Sequence, residues 1–299
     1  MEIIREPQGF IINQRKFTLE LLEEFGCSGA AVSSPLDPSS KLHLGLSPPL
    51  ADPVIYRRVV GNLNYLTNTR PDICFTVLTL SQYMQKPQML HLSAGMRVLK
   101  YLNTDPAQGI LLSANPSLDL LAFCDADWAA CKTSRRSVSG FFITLGGAPI
   151  SWKSKKQVLI SLSSAEAEYR SMRRVTAEIT WLVRLLVDLF VPPTLAAIYI
   201  ARNLVFHERT KHVELDCHFI RQQYLSGLIT LSFLPSKLQL ADLFTKPLTG
   251  VSHHQILPKL GVFSSPSNLR GDVKMKPHNN LKEEEAETKK MKRFHLVQK

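Results

Sequence analysis

The pattern of apolar and polar positions along this chain changes near residue 109, from mostly helical spacing to a run of successive strands. Upstream, residues 2–13 read as a hairpin, EIIRE and FIINQ around a PQG turn. KFTLELLEEFG follows with Leu19, Leu22 and Phe25 in step and Gly26 as a stop. Residues 33–53, rich in Pro and Ser, read as a linker or extended arm. Three helices are predicted over 54–68, 72–85 and 91–103, the last two closed by Lys86-Pro87 and Asp105-Pro106.

Downstream, GILLS, LDLLAFCDAD, SVSGFFITLGG and APISWKSKK read as successive strands separated by turn residues. A long helix over 164–190 carries apolar residues at 165, 169, 172, 175, 179, 182, 186 and 189, which form one face. The short segment TLAAIYIA (194–201), a helix over 211–227, a strand over 228–235 and a short helix over 239–248 complete the pattern. Strands first, then helices alternating with strands, predict an α/β fold with a mixed sheet. The expected organisation is a mainly helical unit (1–108), a mixed-sheet domain (109–262) and a polar, disordered basic tail (263–299).

Charge narrows the partner. The chain has net charge +11 and pI about 9.5. The last 36 residues hold nine Lys/Arg against five Asp/Glu, so +7 belongs to the rest of the chain. An excess spread through the body favours a polyanion, with nucleic acid first. Five scattered cysteines suit reduced thiols in an intracellular, non-secreted protein. The first residues lack the apolar core of a signal peptide, and no apolar run is long enough to span a membrane.

The candidate chemistry lies in carboxylates. In LLAFCDADWAA an apolar strand ends on Asp125 and Asp127. On the long helix, Ser163 and Glu166 have capping-box spacing, which gives Glu166 a structural task. Glu168 lies four residues before Met172 and seven before Val175, on the face that packs against the sheet, where an acid is costly without a partner. Asp242 falls in the first turn of the last predicted helix. Converging carboxylates suit an oxygen-loving cation, Mg²⁺ or Mn²⁺, and a pair of such ions serves phosphodiester cleavage.

LLAFCDADWA, RRSVSGFFITLGGAPISWKSKKQ, SLSSAEAEYRSM, RNLVFHERTKHVELDCHFIRQQ and LPSKLQLADLFTKPL resemble the ribonuclease H domain of plant copia-type LTR retrotransposon Pol polyproteins. EIIREPQGFIINQRKFTLELLEEF, YRRVVGNLNYLTNTRPDICFTVLTLSQYMQKP and HLSAGMRVLKYL are similar to the end of that polyprotein's reverse transcriptase, its thumb and connecting region. The resemblance implies a ribonuclease H-like fold and a partner that is an RNA·DNA hybrid. It also implies four acids on two Mg²⁺ ions, in a fragment of a larger polyprotein. Asp125, Glu168 and Asp242 would be three of the acids.

The fourth acid of the family stands on a strand next to the first one. Here DLFVPPTL runs straight into AAIYIARN, and no acid occurs between Asp188 and Glu208. Strand four is therefore expected to be missing or replaced, with TLAAIYIA available to fill its place although the matching family residues begin a helix. The resemblance then implies an inactive nuclease. The reverse transcriptase's adjacent aspartates are absent as well.

Lys153, Lys155 and Lys156, with Arg135 and Arg136, are candidates for phosphate contact. His207, His212, Cys217 and His218 lack the spacing of a zinc site, so no zinc is expected.

Overall fold

The computed structural model describes residues 1–27, 31–200 and 213–264. Of the expected tail (263–299), Phe263 belongs instead to a short strand and residues 265–299 lie outside the described residues, as do the histidines His207 and His212. Residues Met1–Ser265 form one compact unit.

Two sheets organise it. Strands β1 (Glu2–Glu6) and β2 (Gly9–Asn13) form the expected hairpin, and α1 (Arg15–Glu24) follows. Leu21 and Leu22 face the core and Leu19 is exposed, so the apolar face is rotated from the Leu19–Leu22–Phe25 spacing expected. The three further helices are α2 (Pro53–Leu66), α3 (Cys74–Ser81) and α4 (Met89–Leu102). Asp52 caps α2 by accepting from the Val54 amide at 2.8 Å, and Pro53 supplies a preset first helical residue. Tyr56, Val59, Val60, Leu63 and Leu66 then pack inward against Val77, Leu80, Val98 and Leu102. Each such fully buried aliphatic side chain contributes roughly 1.5–3 kcal/mol.

Strand β3 (Gly109–Ser113) corrects the reading of GILLS as the first strand of the downstream sheet. It pairs antiparallel with β2, and β9 (Val262–Phe263) pairs with β3. One sheet thus joins the start of the chain to residues 262–263. Apolar alternation shows that a strand has a buried face but not which edge it meets, so sequence pattern cannot choose between these partners.

The second sheet has the order β6-β5-β4-β7-β8. Strands β4 (Asp119–Asp127), β5 (Val138–Leu145) and β6 (Ala148–Lys156) are antiparallel neighbours. Helix α5 (Ser164–Asp188) covers one face. Ser163 Oγ accepts from the Glu166 amide at 3.2 Å, and a Glu166 carboxylate oxygen accepts from the Leu162 amide at 3.0 Å. The cap therefore closes one residue earlier than a standard capping box.

Strand β7 (Leu195–Ile200) fills the central place next to β4. It runs parallel to β4, with Ala122 opposite Ile198 and Cys124 opposite Ile200. The fourth strand is thus replaced by TLAAIYIA. Ile198 and Ile200 join Leu120, Ala122 and Cys124 under α5, and Tyr199 stacks on Phe123 from the other face at 5.1 Å. Helix α6 (Glu214–Leu225) and strand β8 (Thr230–Phe233), parallel to β7, complete this layer.

The apolar face of α5 stays buried only to Leu182, and Leu189 is exposed. A helix of 25 residues is about 37 Å long, whereas the 9-residue β4 spans about 30 Å, so the last turns overhang the sheet. The short helix expected over 239–248 is a 3₁₀ segment, Leu240–Phe244. Helix α7 (Gly250–Ile256), which the pattern did not predict, follows. Among the described residues no helix is long and apolar enough to cross a membrane.

Candidate acidic site at the end of the central strand

The C-terminal end of β4 is held from both faces. Ser171 Oγ on α5 donates to the Asp125 carbonyl at 2.8 Å, and Gln239 Nε2 donates to the Cys124 carbonyl at 3.0 Å. The 3₁₀ segment seats here because β5 offers no side chain at Gly140, which pairs with Asp125. A Cβ on Gly140 would lie 2.6 Å from Phe244 Cβ and 2.9 Å from Thr245 Cγ2.

Asp125 is buried, and its Oδ2 accepts from Thr245 Oγ1 at 2.5 Å. Lys246 Nζ lies 2.9 Å from Asp242 Oδ1 and 3.8 Å from Asp125 Oδ2. Burial and the neighbouring Asp125 charge push the Asp242 carboxyl up to about 6. Burial also raises Asp127, with Asp125 adding to the rise and Lys246 opposing it. Burial disfavours the charged form of Lys246, but Asp125, Asp242 and Asp127 outweigh it and raise the ammonium's pKa. The cluster is three aspartates around one lysine. Thr245 and Lys246 were not singled out from the sequence; the signal was the four-residue step from Asp242 to Lys246.

Glu168 approaches β4 from the α5 side. There, burial first and then the Glu168 and Asp125 charges hold the Cys124 thiol well above its usual pKa. Side chains alternate along a strand, so Cys124 faces α5 while Asp125 turns toward Thr245. The structure therefore brings Asp125 and Asp242 together and places Glu168 within electrostatic reach of Cys124, the residue before Asp125. Among the described residues no three His, Cys, Asp or Glu side chains converge closely enough to hold a metal ion. The Lys246 ammonium offsets one of the two charges of the Asp125–Asp242 pair and stands between them, so the side chains as placed do not present the closed set of oxygens that the divalent ions expected from the sequence would need.

The basic candidates divide by the same alternation. Lys156 pairs with Val138 at the acids' end of the sheet, and its Nζ donates to Gln82 Oε1 at 2.7 Å. Lys153 and Lys155 are exposed. Arg135 and Arg136 stand exposed in the turn joining β4 to β5, with Arg135 in the left-handed region at φ 54°.

The chain is 41% identical over 285 residues to the retrovirus-related Pol polyprotein from transposon RE2 of Arabidopsis thaliana; the match covers 92% of this chain and 20% of that protein. It is 30% identical over 264 residues to the retrovirus-related Pol polyprotein from transposon TNT 1-94 of Nicotiana tabacum, covering 82% and 20%. The chain thus spans about one fifth of the length of these relatives. Among solved structures, the N-terminal RNase H domain of a Mycobacterium tuberculosis protein, fused to maltose-binding protein, matches 48% of this chain and 98% of its own at 16% identity, with a TM-score of 0.30. No protein-family model matches the chain.

Proposed function

This chain belongs to the family of retrovirus-related Pol polyproteins of transposons, and from that premise we propose that it is a ribonuclease H-like segment that binds an RNA·DNA hybrid without cleaving it. One observation carries the loss of cleavage. The strand lying next to β4 is LAAIYI, which has no carboxylate, and none follows until Glu208. A fourth acid beside Asp125 is missing even though a strand occupies the slot. The Lys246 ammonium between Asp125 and Asp242 supports the same reading, because it occupies the space between the two carboxylates and supplies part of the positive charge that a metal would otherwise bring.

Asp125, Glu168 and Asp242 are on this proposal the remnant of the acid set. They keep their places in the fold and take no part in bond cleavage. Binding falls to the cations at the same end of the sheet, Arg135, Arg136 and Lys156, with Lys153 and Lys155 beside them. Neutralising phosphates releases counterions, so such binding weakens steeply with salt.

The test is to incubate the protein with labelled hybrid and Mg²⁺ or Mn²⁺. The expected result is salt-dependent binding with the RNA strand intact. Cleavage by the wild type that disappears in Asp125→Asn would overturn the loss of activity, and an affinity that does not change with salt would overturn the nucleic-acid partner.

A further inference from the structure

Away from the acids, a cleft of about 690 Å³ separates the end of α2 and the outer side of α3 from the edge strand β6 and the third turn of α5. Trp152 Nε1 donates to the Thr67 carbonyl at 2.9 Å and bridges its two walls. We propose that this cleft is a second subsite for nucleic acid, which takes a phosphodiester of one strand with Arg174 as its anchor. The proposal rests on the hybrid-binding reading above and assigns that reading a contact surface beyond the end of the sheet.

The first argument is an unmet hydrogen bond. Arg174 Nη1 is buried and has no hydrogen-bond partner. A guanidinium presents five donors in a flat fork that matches a phosphate with two oxygens. A phosphate in the cleft would give that donor a partner once the half-buried guanidinium turns toward the opening.

The second argument is charge. Lys153 and Lys155 also line the cleft and stand exposed. The acid in its lining is Glu178, and a Glu178 oxygen already accepts from Ser151 Oγ at 2.9 Å. Three cations face one engaged carboxylate. The aromatic and aliphatic side chains of Phe141, Trp152 and Ile150 offer the sugar and base an apolar wall.

The third argument is position. Asp125 pairs with Gly140, and Gly140 with Ser154 on β6. The edge strand is therefore two strand spacings, about 10 Å, from Asp125. Phosphates recur about every 3.4 Å along each strand of a duplex. A strand lying over the end of the sheet reaches the cleft within a few nucleotides.

The experiment measures binding of a short fluorescein-labelled RNA·DNA hybrid between about 50 and 200 mM salt. Arg174→Gln should weaken binding about three- to tenfold and reduce the slope of log K against log salt by about 0.7–0.9, the share of one phosphate contact. Asn64 is exposed on α2 at the opposite wall, and Asn64→Asp should weaken binding without touching a buried group. Arg184, exposed further along α5, provides the control, and Arg184→Gln should bind as the wild type does. If the wild type binds with a normal salt slope and both Arg174→Gln and Asn64→Asp match it, the cleft is not a subsite and the reading at the sheet end stands. If the wild type binds no hybrid at any salt, both readings fall.

Discussion

Lys246 Nζ sits 2.9 Å from Asp242 Oδ1, four residues before it in the chain, and reaches on toward Asp125 on the central strand. The contact offsets part of the negative charge of the acidic cluster from within the chain. A carboxylate pair at the end of a strand is ordinarily stable only with a cation from outside or with a shared proton. Here the cation comes from the chain, and four predictions follow the consequences outward.

Lys246→Met removes that cation while keeping most of the apolar stem. Asp125 and Asp242 then repel each other. Because the Lys246 side chain is 40% exposed, the loss should be about 1–2 kcal/mol, below that of a fully buried pair. The same variant should gain stability from millimolar Mg²⁺ while the wild type does not, since a ligand bound by the folded state alone shifts unfolding. Urea unfolding with and without Mg²⁺ reads both effects. Equal Mg²⁺ responses in the two proteins would refute the role given to Lys246.

The pH dependence of stability should contain two opposing slopes. Asp242 is raised from 3.8 to about 6, so between those values the folded protein holds a proton that the unfolded chain has lost. Its contribution is present at low pH and lost as pH rises through 6. His253 is lowered from 6.5 to about 4, mainly by burial. In that window the unfolded chain holds the extra proton, so its contribution grows as pH rises. Each effect is on the order of 1–3 kcal/mol. Asp242→Asn should leave a profile that rises from pH 4 to 6.5, and His253→Gln one that falls. Unfolding midpoints measured across that range decide it, and two variants with the wild-type profile would contradict the assignment.

A buried cluster ties the upstream helices to α7. Arg70 donates to both Asp72 oxygens, from Nε at 2.9 Å and from Nη2 at 2.8 Å. The Tyr101 hydroxyl gives its proton to Asp72 Oδ2 at 2.7 Å, so His253 Nε2, 2.9 Å away, must donate to the Tyr101 oxygen. Asp72→Asn strands a buried guanidinium and should cost about 3–5 kcal/mol. Adding Arg70→Met should recover part of the loss. A double-mutant cycle by chemical denaturation measures the coupling, and simple additivity would argue against a shared network.

Gly140→Ala tests the close approach of the 3₁₀ segment to the sheet. Its methyl would meet Phe244 Cβ at 2.6 Å, against a segment that also carries Asp242. Overpacking of this kind costs about 1–3 kcal/mol. Gly61→Ala, on α2 with nothing within 4 Å of the added methyl, should instead stabilise by up to about 1 kcal/mol. Thermal unfolding of the two variants should move in opposite directions.

Much of the local structure was legible in the sequence because its causes are local. Ser163 starts α5, and the apolar spacing of α5 from Tyr169 to Leu182 matches its buried face. Turn residues between apolar runs likewise marked β4 through β6. The absence of an acid between Asp188 and Glu208 is a property of the sequence alone. Only the tertiary structure decided which edges meet: β3 with β2 rather than β4, and β7 in the slot beside β4. It also decided that Lys246 lies among the aspartates and that Gly140 leaves room for the 3₁₀ segment. Periodicity reports which face of an element is buried, and the Asp242–Lys246 step is local, but the approach of Lys246 to Asp125 and the pairings of β3 with β2 and of β7 with β4 join residues far apart in the chain, and no local pattern encodes those.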